Sequence, residues 1–395
     1  MRPKAFLIML SAAVIISGCE QRPAARPAMV QAEMEQEAVS HDVSEFEPQK
    51  SSATIMAVGD NLIHEAIYAQ AKRRAGGEGY DFGYCYSDIA EIISSADIAV
   101  INQETPIAGK ICKPSSYPLF NSPTELGDEI VKIGFDVFSH ANNHILDKGT
   151  IGVSTTLDYY STKPNAIAVG ICRKKDDCNK IKTITKNGIT FAFVAFTEHT
   201  NGLELPQDSE LAVSYLGNWD LLQRQIEQAD KTADIVAVIV HWGIEDSHSV
   251  TKIQRAYAEK MSQWGADIIL GAHPHVLQQI EYIQPSPQSK TLVAYSLGNF
   301  ISAQNKAPNL IGGILSITAE KDAASGKTEI SKTELMPVIT HYEAGYKNLK
   351  IIPFKSYTPE LAEGHGVREY DSRFCYDFIS QTLNGVIGAD YLAQK

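Results

Sequence analysis

Short apolar runs recur along this chain, and each stops at a side chain able to hold a metal ion. Ala53–Val58 leads into Gly59 and Asp60, with His64 beyond. Asp97–Ile101 leads into Asn102, Gln103 and Glu104, and Phe135–Phe138 into Ser139, His140, Ala141, Asn142, Asn143 and His144, with Asp147 just past them. Asp234–Val240 leads into His241 and Trp242, and Ala266–Leu270 into Gly271-Ala272-His273-Pro274-His275. Runs this short, separated by amphipathic helical stretches, predict the strands of an α/β fold. Open α/β sheets place ligands at the C-terminal ends of their strands, so these five ends predict one shared site.

The last run is the most informative. In an extended or turning backbone, residues i and i+2 can aim into one pocket, whereas neighbours cannot. His273 and His275 have that spacing, and histidine is the commonest metal ligand. Each residue also has a plainer reading. Asp60 suits a turn or helix cap, Glu104 a solvated loop, Asn142 and Asn143 a left-handed turn, and His241 a buried, hydrogen-bonded position. Those readings leave the recurrence at equivalent strand ends unexplained.

Residues 1–19 predict an export signal. Arg2 and Lys4 precede an apolar stretch from Ala5 to Ile16 that is too short to span a bilayer. Ile16-Ser17-Gly18-Cys19 resembles a bacterial lipobox, with cleavage before Cys19 and a lipid on its sulfur. Residues 20–51 are rich in Pro, Ala, Gln, Glu and Ser and nearly free of aromatics. They cannot bury enough surface to fold and are expected to form a disordered spacer. The formal charge of −12 becomes −14 once Arg2 and Lys4 are removed. That balance argues against a nucleic-acid partner and against electrostatic docking to anionic lipid.

Five of the six cysteines follow Cys19, in a compartment that permits disulfides. Cys172 and Cys178, separated by a polar stretch, are expected to staple a surface hairpin. Cys85 and Cys112 are a possible second pair, which leaves Cys375 over.

Taken together, the motifs resemble the capsule-biosynthesis CapA family (poly-γ-glutamate capsule proteins), which has a calcineurin-like metallophosphoesterase fold. They are Gly59-Asp60, Asn102–Pro106, Ala141–His144 with Asp147 and Gly149, His241-Trp242-Gly243 with Glu245, Gly271–His275, and Tyr295–Phe300, all within residues 54–303. The resemblance implies a four-layer α/β/β/α sandwich over residues 52–303 with two divalent metals at the strand ends. Asp60 and His275 would hold one metal, Asn143, His241 and His273 the other, and Glu104 would bridge them. His144 would stay off the metals and stabilise charge or protonate a leaving group. Mixed imidazole, carboxylate and carbonyl ligands suit Mn, Fe or Zn.

Several positions depart from the phosphoesterase pattern. His64 lies four residues after Asp60 rather than two, so it is either a further ligand from the first turn of a helix running to Ala75 or a surface residue. The bridging acid is Glu104 rather than Asp. Gln103 and His140 are additional polar residues with a tentative substrate role, and Glu245 and Asn299 are expected to line the cleft. Asp147, three residues after His144, either orients its imidazole or caps a helix.

Residues 304–395 are expected to complete the sheet and pack on it. Ile311–Ala319 and Thr328–Pro337 predict a β-hairpin, and Ser356–Lys395 a helical segment. Two functions follow: a membrane-anchored component of poly-γ-glutamate or related capsule synthesis, binding polymer or membrane partners, or a lipid-anchored hydrolase of a phosphoester or amide in the bacterial cell envelope. Cys19→Ala is expected to leave the precursor unprocessed or release the protein from membranes. Unchanged processing and unchanged membrane partition of that variant would refute the lipid anchor.

Overall fold

A computed structural model describes residues 50–109, 111–287 and 289–393. The signal segment, Cys19 and all of the spacer up to Gln49 lie outside the described residues. Ser51, assigned to the spacer from composition, instead opens the first strand.

The strands are β1 (Ser51–Asn61), β2 (Ile98–Asn102), β3 (Val137–Ser139), β4 (Ile167–Val169) and β5 (Ile171–Cys172). Next come β6 (Lys182–Lys186), β7 (Ile189–Thr197), β8 (Ala212–Val213), β9 (Ile235–His241) and β10 (Ile268–Ala272). The chain continues through β11 (Ile280–Ser286), β12 (Ser289–Ala294), β13 (Asn299–Ile301), β14 (Ile311–Lys321), β15 (Thr328–Glu343) and β16 (Lys347–Pro353). One sheet has the order β16-β15-β14-β1-β2-β3-β4, with β13 alongside the end of β1; a second has the order β11-β12-β10-β9-β7-β6. The five metal-capable strand ends therefore belong to two sheets, three to the first and two to the second.

Alternation along β7 and β9 shows how the layers stack. Phe191, Phe193, Ala195, Ala237 and Ile239 share a core with Ile55 and Ala57 of β1. The intervening Ala192, Val194, Phe196, Val236 and Val238 pack on Leu222, Ile226, Ala258 and Met261. Those four come from helices Trp219–Asp230 and Lys252–Gln263, the first capped by Asn218 and the second by a capping box of Thr251 and Gln254. Every residue of β2 and β3 is buried. Their far side is covered by helices Glu65–Arg74, Thr124–Lys132 and Gly149–Ser161, which bring Ile67, Leu126, Ile130 and Tyr160 into the core. This is the α/β/β/α sandwich. No helix among the described residues is long and apolar enough to cross a membrane.

Four aspartates set the register of the parallel strands. Asp97, Asp136, Asp234 and Asp267 stand immediately before β2, β3, β9 and β10. Each accepts, at Oδ2, the N–H of a residue on the neighbouring strand: Thr54 (2.8 Å), Ala99 (2.9 Å), Thr190 (2.8 Å) and Val236 (2.8 Å). Each aspartate N–H then returns a bond to the carbonyl of that same residue, at 2.8–3.0 Å. Two reciprocal bonds at one point fix the offset between adjacent strands. A net hydrogen bond contributes about 0.5–1.5 kcal/mol, and each junction makes two, so a slip of one residue would forfeit a large fraction of a domain's net stability.

The C-terminal segment is built into the first sheet. β14 pairs antiparallel with β1 from Ser51↔Lys321 to Val58↔Ile314, and β15 pairs with β14 and β16. β14 and β15 are the expected hairpin, running further than its apolar pattern. The segment after Ser356 is not one helical stretch but two short helices, Pro359–Glu363 and Tyr376–Val386, joined through one 3-10 turn, Gly366–Glu369.

Cys172 and Cys178 are bonded. They close a 3-10 turn, Lys175–Asn179, rather than a hairpin. Cys85 and Cys112 are both free, so the second pair does not form. Cys85 is buried beside Arg74, and burial pushes its thiol up to about 11. Cys375 caps the last helix through Phe378 N–H.

Burial raises Asp267 from 3.8 to about 7 against the opposing bond from Val236 N–H. The folded chain thus keeps a proton there that the unfolded chain sheds near pH 4. Its contribution is complete below about pH 4 and is lost as pH rises through 7. Asp267→Asn keeps an acceptor for Val236 and removes the charge. The variant is expected to match wild type at pH 4 and to exceed it at pH 8 by roughly 1–3 kcal/mol. Equal shifts in Tm at both pH values would contradict this.

Candidate metal centre

The C-terminal ends of β1, β2, β3, β9 and β10 meet where the two sheets face each other. β1 bulges at Gly59, and Asp60 N–H donates to Gly298 O (2.9 Å). A Cβ on Gly59 would lie 1.9 Å from that carbonyl, so only glycine lets the chain cross there. This crossing carries the backbone from β12 in one sheet to β13 in the other and seats Asn299 opposite Asp60.

The Gly271–His275 loop is strained. His273 has φ 97° and His275 φ 59°, conformations that cost a non-glycine residue on the order of 1–3 kcal/mol each. The surroundings hold them there. His273 N–H points at both oxygens of Asp60 (3.3 and 3.2 Å), and Asp246 N–H bonds Pro274 O (2.8 Å). Asp246 is itself tied to Lys306 and to Asn309 Nδ2. A Cβ on Gly271 would sit 1.8 Å from Tyr295 O, which excludes any side chain beneath the loop.

Two groups of donor atoms result. Asp60, Glu104 and His275 form one, and Glu104, His241 and His273 the other, with the ligand atoms of each group within 4.8 Å of one another. His241 Nε2 lies 3.0 Å from Asn143 Oδ1, 3.1 Å from His273 Nδ1 and 3.7 Å from Glu104 Oε1. His275 Nδ1 lies 3.1 Å from Asp60 Oδ2 and 3.0 Å from Asn299 Oδ1, while its Nε2 is 3.8 Å from Glu104 Oε1. Asn102 Nδ2 donates to Asp60 Oδ1 (2.7 Å) and lies 3.3 Å from His241 Nδ1, tying the groups together.

The electrostatics call for a cation. Glu104 is completely buried, and among the described residues neither of its oxygens has a hydrogen-bond partner. A bare carboxylate in such a place is costly. Burial first, and then the charge of Asp60, push its carboxyl far up. Burial would lower His275, but Glu104 and Asp60 overcome that and raise it. Burial and neighbouring histidines hold His241 and His273 low, so both rings keep a lone pair for a ligand bond. The residues fit a metal.

His144 stands beside these groups, edge-on to Phe120 (4.7 Å between ring centroids). Asp147 Oδ2 lies 2.8 Å from His144 Nδ1 and accepts Phe120 N–H (2.6 Å), so this acid orients the imidazole. His64 joins neither group. It precedes helix Glu65–Arg74, and its Nδ1 meets Ala303 N–H (3.2 Å) and Leu62 O (3.2 Å).

The tentative substrate residues divide. Glu245 is exposed at the mouth. Asn299 is buried and committed: Oδ1 accepts from His275, and Nδ2 donates to Ser302, Gln304 and Asn309. It supports a ligand rather than lining a cleft. His140 is fully buried against Tyr160, where burial lowers it to about 3 and no substrate can reach. Gln103 is held inward by Asn61 and Thr105. Asn102 appears in its motif without an expected role, and one neighbour is missing from the sequence analysis: His199, whose ring lies edge-on to His273 at 5.2 Å. Ile189–Thr197 is one more apolar strand with a histidine just beyond it, so the rule applied to five runs would have found His199 in a sixth.

Residues 54–304 match the family model described as bacterial capsule synthesis protein PGA_cap. The chain is 30% identical over 260 residues to the PGA biosynthesis protein CapA of Bacillus subtilis, covering 62% of this chain and 64% of that protein. It is 28% identical over 265 residues to the capsule biosynthesis protein CapA of Bacillus anthracis, covering 65% of this chain and 61% of that one. The match thus spans less than two thirds of either relative. A phosphatase structure from Mycoplasma pneumoniae aligns with a TM-score of 0.44 at 12% identity, covering 74% of this chain and 95% of that chain, too distant to bear on function.

Because Asn299 Oδ1 fixes His275 Nδ1, Asn299→Ala is expected to weaken binding of Mn or Zn by about 10–100-fold. Calorimetric titration, with circular dichroism to confirm folding, reads this; unchanged affinity would refute the supporting role.

Proposed function

This chain belongs to the bacterial capsule synthesis family PGA_cap, and from that premise we propose that it is a lipid-anchored component of poly-γ-glutamate or related capsule assembly. On this reading it acts in the cell envelope as a two-metal hydrolase of a phosphoester or amide bond. The observation that carries the hydrolytic part is Glu104, shared by both ligand groups and buried without a hydrogen-bond partner among the described residues.

Asp60 and His275 would hold one cation, Asn143, His241 and His273 the other, with Glu104 shared between them. A pair of divalent cations so held supplies Lewis-acid polarisation and an acidified water. The remaining work belongs to the chain. Asn299 Oδ1 accepts Nδ1–H of His275 and so leaves its Nε2 for a metal, and Asn102 steadies the Asp60 carboxylate beside His241. Asp147 accepts Nδ1–H of His144 and would offset the charge of its imidazolium form, whose Nε2–H would give a proton to, or steady charge on, the departing group. The buried rims of both sheets keep bulk water from Glu104. The acidic chain does not favour tight binding of a polyanion over its whole surface, so the site is the better place to look for function.

Glu104→Ala tests the sharing. It leaves two cations repelling each other at short range, so elemental analysis should fall from about two metals per chain to well below one, with hydrolysis abolished. His275→Ala and His241→Ala should each deplete mainly one ion. His144→Ala should keep its metals and lose activity. A folded Glu104→Ala protein with two metals would overturn the bridge, and a wild type without metal would overturn the hydrolase.

A further inference from the structure

Beyond the metal ligands, the chain leaves β7 at Thr197 and turns at the rim of the site. Thr197 Oγ1 donates to His199 O (2.8 Å), and Asn201 N–H donates to His199 Nδ1 (3.3 Å). A neutral imidazole that accepts at Nδ1 carries its proton on Nε2. His199 therefore presents an N–H, on an exposed ring set edge-on to His273, and among the described residues nothing accepts it.

From His199 a groove of about 510 Å³ opens between residues 200–207 and β8. Its walls include Leu203, Leu205, Leu211 and Val213. Thr200 Oγ1, bonded to Leu203 O (2.6 Å) and paired with Tyr215 OH (2.9 Å), pins the turn that forms its edge. Three of these wall residues, Leu205, Leu211 and Val213, pack on Ile145 and Leu146, in the loop that carries His144. The groove thus begins beside a metal ligand and is built on the loop of the proton-handling histidine. Its volume lies in the range of small-molecule pockets, roughly 300–1,000 Å³. Lys175 and Glu204 also line it, and against its leucine walls a hydrocarbon or aromatic group gains about 25 cal/mol for each Å² it buries.

We propose that this groove seats an apolar flank of the substrate, whose oxyanionic reacting group lies at Glu104 and accepts a hydrogen bond from His199 Nε2–H. The proposal rests on the hydrolytic reading and narrows its substrate to esters or amides of an acidic group bearing a hydrocarbon or aryl substituent.

Methylphosphonate and phenylphosphonate, neither of which can be cleaved, provide the test when titrated calorimetrically into the metal-loaded full chain. Wild type should bind the phenyl compound about tenfold or more tightly. Leu203→Glu, at an exposed position, should bring that ratio close to one without changing metal content. His199→Ala should weaken both ligands alike, by about fivefold for one lost hydrogen bond, and His199→Gln, which keeps an N–H, should recover most of it. Equal binding of the two compounds by wild type, or a preference untouched by Leu203→Glu, would overturn the groove. Unchanged affinities in His199→Ala would overturn the donor. A wild type that takes up no metal removes the anchor for the reacting group and defeats the proposal together with the hydrolytic reading. A wild type that holds metal and prefers the phenyl compound, yet cleaves no ester or amide, leaves the groove standing and defeats hydrolysis alone.

Discussion

The reciprocal bonds made by Asp97, Asp136, Asp234 and Asp267 are the constraint from which the site follows. They act at the N-terminal ends of parallel strands, while the ligands sit at the C-terminal ends. A strand rises about 3.3 Å per residue, so an offset fixed at one end is delivered at the other. One residue of slip would turn Glu104 or His241 away from its partners, because successive side chains point to opposite faces. Register thus does the coarse positioning. The local bonds of Asn299 and Asp147 then set ring orientation and tautomer, and Asn102 holds the Asp60 carboxylate.

The centre stores unfavourable terms. Two histidines have positive φ, and a carboxylate is buried without a donor among the described residues. Such features persist where surrounding structure over-determines them, and the ties of Asp246 to Lys306, Asn309 and the Pro274 carbonyl do so here. A cation would relieve the charge imbalance at Glu104 directly, and the same geometry that is costly when bare becomes a set of ligands.

Much of this was legible in the sequence. Apolar runs ending in Asp60, Glu104, Asn143, His241 and His273–His275 pointed to strand ends, and the structure brings those ends together. What stayed hidden depended on side-chain direction or on distant pairing. His140 shares a loop with Asn143 yet turns inward onto Tyr160, and Asn299 faces His275 rather than the cleft. The split of the strands between two sheets comes from hydrogen-bond partners that lie far apart in the chain, which short-range patterns do not encode. Cys85 and Cys112 fit pairing by number alone, but Cys85 is packed in the core beside Arg74. The repeated aspartate before a β-branched residue, as in Asp97-Ile98 and Asp136-Val137, was in plain view and is a register signal.

The crossing from β12 to β13 has a consequence for the spacing of the donor groups. Asp60 and Glu104 come from one sheet, and His241, His273 and His275 from the other, so each ligand group spans the seam. The spacing between hard oxygen and softer nitrogen donors is therefore a property of how the two sheets pack, and the crossing at Gly298 holds them against sliding. The geometry any cation would meet is in this sense written into the hydrophobic layer between the sheets. Exchanging Phe193 or Ile55, which pack in that layer, for side chains of another volume would change this spacing without touching the donor residues themselves.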